Sequence, residues 1–233
     1  MDSSAAAWND IPVRDWLGQP VDCAACAHHA LQAEGGCRPG HSCMQDAYAR
    51  RIDRFFRTHP ALAGGHLTHP YFEVRAIAAR HAEIFLLPGL VNDPDETVRL
   101  QVALRIPQRW LSRMRSDPHR EVRIRVAQRL AEAELPAMRA DADYQVRETV
   151  ARRLPAALLH TMTGDADAQV RREVARRLPM PALLRLVDDP ADVVRRVVAE
   201  RLPLALLHLL EGDADVIVAH TVATRRTEEA AHG

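Results

Sequence analysis

The chain has 233 residues and 26.0 kDa, with 31 basic and 31 acidic side chains, and every basic residue is arginine. Zero formal charge excludes a bulk electrostatic signal for nucleic acid or membrane, and 47% apolar content excludes a disordered chain. With only 4% aromatics, the apolar share points to thin layers of Ala, Leu and Val. No segment approaches the roughly 20 uninterrupted apolar residues that cross a bilayer, and Met1 to Trp16 holds no signal-like run, so a cytoplasmic protein is expected.

The segment 1–60 reads as a separate domain. Its stretch 1–46 carries six acidic side chains (Asp2, Asp10, Asp15, Asp22, Glu34, Asp46) against Arg14 and Arg38, and all four cysteines fall between Cys23 and Cys43. In a reducing compartment, clustered thiols hold metal more often than they pair. The candidate ligands are Cys23, Cys26, Cys37 and Cys43. Four thiolates suit a tetrahedral zinc or an iron-sulfur cube. Cys23-x2-Cys26 fits either, Cys37-x5-Cys43 is not the second two-residue knuckle of a zinc ribbon, and Met44 stands where a bacterial ferredoxin run has proline. Spacing therefore leaves both metals open. Gly35, Gly36, Pro39 and Gly40 fit a tight loop whose backbone N–H groups reach the sulfurs, and equally fit ordinary turn residues. His28, His29 and His41 lie beside a full set of thiols and read as neighbours of the site or solvent-facing groups. Tyr48 to Leu62 is helix-compatible, with Ile52, Phe55 and Phe56 placed to pack on the first repeat.

From residue 61 to 226 a 24-residue period organises the chain into about seven units. Val74, Val98, Val122, Val146, Val170, Val194 and Val218 recur without insertion. Alanine stands five residues after each valine, from Ala79 to Ala223, and Ile106, Leu130, Leu154, Leu178 and Leu202 stand eight after. That spacing is one helix face. Asp93, Asp117, Asp141, Asp165, Asp189 and Asp213, five before their valines, are read as N-caps, with Pro94, Pro118 and Pro190 at the first helical position. Each helix is predicted to run about 12 residues and to stop near Pro107, Pro155, Pro179 and Pro203. A second apolar cluster comes after the proline, as in Leu158, Leu159 and Met162, Leu183 and Leu186, and Leu206, Leu207 and Leu210. A 24-residue unit has no room for two ordinary helices, so this second piece is expected to be short, a 3₁₀ turn. A β horseshoe is excluded, because the whole chain has two asparagines and no period-two strand. Residues 227–233 are read as a tail.

The unit typified by DDPADVVRRVVAERLPLALLHLLEG, downstream of Cys-x2-Cys-x10-Cys-x5-Cys, resembles the leucine-rich repeat variant family. The resemblance covers nearly the whole chain and implies an all-α right-handed solenoid superhelix of alternating α and 3₁₀ helices behind a small N-terminal metal-cluster domain. It also implies a 4Fe-4S cluster on Cys23, Cys26, Cys37 and Cys43, and brings no biochemical activity with it.

The arginine after each of the first six valines, Arg75 to Arg195, falls on the inward side of the wheel, Ala219 replaces it in the last copy, and a buried guanidinium needs a carboxylate. The aspartate six residues earlier offers one, giving a structural ladder of Asp93 with Arg99, Asp117 with Arg123, Asp141 with Arg147, Asp165 with Arg171 and Asp189 with Arg195, within or between adjacent units. The spacing is also similar to HEAT repeats. The doublets Arg152–Arg153, Arg171–Arg172, Arg176–Arg177 and Arg195–Arg196 motivate an alternative, a nucleic-acid-binding solenoid with a structural zinc or iron-sulfur site. Glu148, Glu173 and Glu200 among them, and few aromatics, weigh against it. No serine elbow, P-loop or His-Glu-x2-His motif is present, and His59, His66, His69 and His81 read as surface residues, so no enzyme is expected. The leading expectation is an iron-sulfur repeat protein whose surface binds another protein and whose cluster serves redox transfer, sensing or fold stability.

Overall fold

The computed structural model describes residues 11–232. Two compact units are present, Met1–Val126 and Ala127–Gly233, and the division falls inside a helix. Unit 1 holds α1 (His29–Ala33), α2 (Ala49–Thr58), α3 (Phe72–His81), α4 (Glu96–Arg105) and α5 (Gln108–Leu111). The division lies in α6 (Arg120–Arg129), and unit 2 continues with α7 (Tyr144–Arg153), α8 (Ala168–Arg177), α9 (Asp192–Arg201) and α10 (Val216–His232). Thus α10 runs through most of the expected tail. Between the helices lie 3₁₀ segments, among them Pro60–His66, Ile84–Leu90, Ala156–Met162, Ala182–Leu186 and Leu204–Leu210. The third repeat is irregular, with α5 leading into a 3₁₀ turn at Ser112–Met114.

The repeat's helices are ten residues long, two shorter than expected, from α3 through α9 apart from α5. They end where the residue before proline is pushed out of the α region: Ile106, Leu154, Leu178 and Leu202 have ψ of 143°, 139°, 123° and 141°. At the other end the predicted caps are displaced by two residues. Asp95, Asp143 and Asp167 are the N-caps, their carboxylates accepting from Thr97, Gln145 and Gln169 N–H. The aspartates expected to cap instead close the preceding turn, as Asp93 accepts from Asp95 N–H at 2.9 Å and Asp117 from His119 N–H at 2.8 Å. Pro94, Pro118 and Pro190 consequently sit in that turn, ahead of the helices.

Two periods build the core. The valines, the alanines five on and the leucines eight on are fully buried through Leu202. In the 3₁₀ segments the buried pairs are Leu87 and Leu90, Leu159 and Met162, Leu183 and Leu186, and Leu207 and Leu210. Their spacing of three is the 3₁₀ period, which stacks i over i+3. Within unit 1, α2 packs on α3 and α3 on α4, and within unit 2, α7, α8, α9 and α10 pack in succession. Ala223, the same position in the last repeat, is exposed.

Candidate metal centre and the arginine ladders

Residues 11–58 form a loop-rich cap held by few but strong polar contacts. Asp46 and Arg51 make a buried ion pair at 3.0 Å. Arg51 also donates to the carbonyls of Ile11 and Pro12, and its own carbonyl accepts from Cys43 N–H at 3.1 Å. One arginine of α2 therefore fixes both the start of the described chain and the fourth cysteine. The bridge between Arg38 and Ser42 closes the turn ahead of Cys43, with Gly40 at φ +74° where an L side chain is strained.

All four cysteines are free and line one small cavity of about 20 Å³. Val21, Pro39, Met44 and Phe55 supply its apolar wall, and His28, His29 and Gln32 its polar one. Burial pushes the Cys43 thiol up to about 11, against backbone N–H groups of Gln45 and Asp46 that hydrogen-bond its sulfur. Burial also raises Cys23 and Cys37, and Cys26 adds to both. The sulfurs are thus near enough to feel one another. Cys26 Sγ accepts from His28 N–H at 3.4 Å. The sulfur-directed donors are therefore His28, Gln45 and Asp46, whereas the loop glycines turn the chain: Gly36 N–H goes to Leu31 C=O. Among the described residues no three His, Cys, Asp or Glu side chains converge on a single-ion site.

Two histidines expected at the surface belong to this region. His66 Nε2 lies 2.8 Å from His28 Nε2, and His59 Nε2 donates to Gly36 C=O at 2.8 Å. A Cβ at Gly36 would meet the Leu31 carbonyl oxygen at 3.2 Å and the His59 ring at 3.3 Å, a crowding that glycine avoids. Burial pushes His66 down to about 4, with His28 and His69 adding to the effect. His81 bonds Asp53 at 3.1 Å, and His69 accepts from Tyr71 N–H. His41 is exposed and contributes its carbonyl to Arg54. No local pattern signals the roles of His59 and His66, because their partners, Gly36 and His28, lie far back along the chain.

The arginine ladder is present with a different register. Each arginine takes its carboxylate from the following repeat: Arg75 with Asp93, Arg99 with Asp117, Arg147 with Asp165, Arg171 with Asp189, and Arg195 with Asp213, at 2.7–2.8 Å. Each pair is bidentate, as in Arg99 Nε and Nη2 to the two Asp117 oxygens. The aspartate six residues earlier supplies its backbone carbonyl, not its carboxylate, so Asp93 C=O accepts from Arg99 and Asp117 C=O from Arg123. Asp141 C=O serves Arg147, Asp165 C=O serves Arg171 and Asp189 C=O serves Arg195 in the same way. A carbonyl needs no particular side chain, which is why His69 serves Arg75 equally well. The hydrogen bond from Arg195 holds Asp213 below the ordinary carboxylate range. Its stabilising contribution is therefore present above the ordinary aspartate range and is lost as the pH falls through the lower folded value.

A second ladder has no counterpart in the sequence expectations. Arg105, Arg153, Arg177, Arg201 and Arg225 donate to Ala79, Ala127, Ala151, Ala175 and Ala199 C=O at 2.6–2.8 Å. These carbonyls end the preceding repeat's helix, where backbone acceptors lack intrahelical partners and a cation is favourable. Arg201→Met is expected to cost about 2 kcal/mol, since it leaves the carbonyls of Ala175 and Leu178 without a charged donor. Urea unfolding with an unchanged slope would measure it, and a loss under about 0.5 kcal/mol would refute the role. The doublets that suggested phosphate tracking divide accordingly. Arg153, Arg177, Arg171 and Arg195 point into the stack. Of their outward companions, Arg152, Arg176 and Arg196 meet Glu148, Glu173 and Asp215, and Arg172 meets Gln169.

Stacked α and 3₁₀ segments with a cysteine-lined cavity at the N-terminal end define a repeat solenoid with a cap suited to a metal cofactor. Residues 13–65 match the family described as LRV protein FeS4 cluster. A solved structure described as a leucine-rich repeat variant with a novel repetitive protein structural motif shares 43% identity and a TM-score of 0.82, over 88% of both chains. The chain belongs to the leucine-rich repeat variant family. An uncharacterized 27.7 kDa protein in the nifB 3' region of Rhodobacter capsulatus is 50% identical over 93 residues. That match spans 40% of this chain and 38% of the relative's length. No helix among the described residues is long and apolar enough to cross a membrane.

Proposed function

We propose that this chain is an iron-sulfur repeat protein in which Cys23, Cys26, Cys37 and Cys43 hold a 4Fe-4S cluster and the solenoid presents a surface to another protein, without itself catalysing a reaction. The observation that carries the reading is the common cavity of the four thiols. Four thiols on one pocket suit zinc or a cluster by donor chemistry, and the match of residues 13–65 to the FeS4 cluster family supports the cluster. When bound, a cluster of this kind supplies one-electron redox chemistry. The protein's contribution is to exclude water with Val21, Pro39, Met44 and Phe55 and to aim N–H groups of His28, Gln45 and Asp46 at sulfur, which stabilises thiolate over thiol. Sulfurs of this kind need a reducing compartment, which favours a cytoplasmic setting.

Protein prepared without oxygen is expected to be brown, with about four irons and four sulfides per chain and no zinc. Cys43→Ser is expected to lose the colour. A colourless chain with one zinc would overturn the assignment. A repeat array in which Arg152, Arg176 and Arg196 already meet carboxylates is better suited to a protein partner than to phosphates, and retention of bound nucleic acid at about 0.5 M salt would reverse that choice.

A further inference from the structure

We infer that the His28–His66 hydrogen bond couples filling of the cysteine cavity to the order of the first 3₁₀ segment of the repeats, Pro60–His66, so that this segment reports the state of the cofactor site. This rests on the cluster reading above and adds a regulatory consequence to it.

His28 belongs to both structures at once. Its side chain lines the cavity and its N–H donates to Cys26 Sγ, while its Nε2 meets His66 Nε2 at 2.8 Å. The bond joins the last residue of the 3₁₀ segment to a loop whose geometry the cysteines control. Two adjacent phenylalanines of α2 brace it: Phe55 packs on His28, with ring centres 5.4 Å apart, and Phe56 packs on His66, also at 5.4 Å. Phe55 itself forms part of the cavity wall. The 3₁₀ segment packs on α2 and α3 but buries one residue, Ala63, against the two of Ile84–Leu90. Segments with few buried apolar contacts open at low cost, so one added hydrogen bond changes their order measurably. On its other side Gly64 abuts Leu86, whose Cδ1 would lie 3.0 Å from a Cβ at that glycine. Order gained at Pro60–His66 thus bears directly on the second 3₁₀ segment, where Ile84 and Phe85 are exposed. A group that fixes the Cys26 loop fixes His28, and linkage requires that the ordered segment in turn favours the filled cavity.

Hydrogen exchange read by mass spectrometry tests this on the full chain, loaded and after removal of iron with a chelator. Amides of residues 61–67 are expected to exchange about fivefold more slowly in the loaded protein, the effect of one ordinary hydrogen bond, with Leu204–Leu210 unchanged as reference. His66→Leu, which keeps bulk against Phe56, is expected to load the same iron with the same visible spectrum and to lose the difference. His66→Gln, which keeps a hydrogen-bonding nitrogen at similar reach, is expected to retain it. A loading-dependent change that survives His66→Leu, or one that vanishes in His66→Gln, overturns the hydrogen-bond route. A brown wild-type chain with no change in exchange defeats the coupling alone. An iron-free, colourless chain defeats the cluster reading and the coupling with it.

Discussion

Asp117→Ala is expected to destabilise unit 1 by about 3–5 kcal/mol, the cost of leaving one member of a buried ion pair without its partner. The side chains of Arg99 and Asp117 are only 9% and 4% exposed. The substitution strips Arg99 of both its carboxylate bonds and removes the acceptor that Asp117 offers to His119 N–H. A buried pair is worth little against a well-packed apolar replacement, so the sign depends on whether one or both partners change. The double substitution Arg99→Met with Asp117→Leu is accordingly expected to cost less than Asp117→Ala alone. Arg99→Lys keeps the charge but cannot span the two carboxylate oxygens and the carbonyls of Asp93 and Pro94 together. Urea unfolding followed by circular dichroism gives these differences. A loss below about 1 kcal/mol for Asp117→Ala would place the ladder among ordinary surface pairs.

Ala151→Asp is expected to cost more than about 4 kcal/mol and to unfold α7, α8 and α9 together. Ala151 is wholly buried on the face by which consecutive repeats pack, so the new carboxylate meets neither water nor space. Stability in a repeat array is shared through nearest-neighbour contacts, which spreads the damage beyond α7. Ala223→Asp is the control, because it places the same side chain at the same repeat position where the residue is exposed, and it is expected to change stability by less than about 0.5 kcal/mol. Equal effects at the two positions would show that the recurrent alanine is not a packing position.

The fold was legible because most repeats carry the same local instructions. Val, Ala and Leu or Ile at positions 0, 5 and 8 mark one helix face, a proline follows the helix end in four repeats (Pro107, Pro155, Pro179 and Pro203), and the short remaining space excludes a second ordinary helix. The four cysteines were legible as a set for the same local reason, being confined to the stretch from Cys23 to Cys43. Residue-level roles were less legible. In the repeats with Asp95, Asp143 and Asp167 two aspartates compete for the cap, and nothing local says that Asp95 caps while Asp93 turns the chain toward Arg75. The displacement follows from packing, since the Asp93 carboxylate is claimed by the preceding repeat.

The sequence by itself determined the period, the helical face, the positions of the breaks and the thiol cluster, all of which rest on spacings no longer than one repeat. Only the tertiary structure decided partners. The ion pairs reach forward to the next repeat rather than back within the same one, as in Arg99 with Asp117. The capping of helix ends by Arg105, Arg153, Arg177, Arg201 and Arg225, and the meeting of His28 with His66, likewise join groups from different turns of the chain. A helical or 3₁₀ period reports which face a residue occupies, because that is set by backbone geometry within a few residues. Which atom it reaches across that face is set by the rise and rotation from one repeat to the next, and those are fixed by packing of the whole layer.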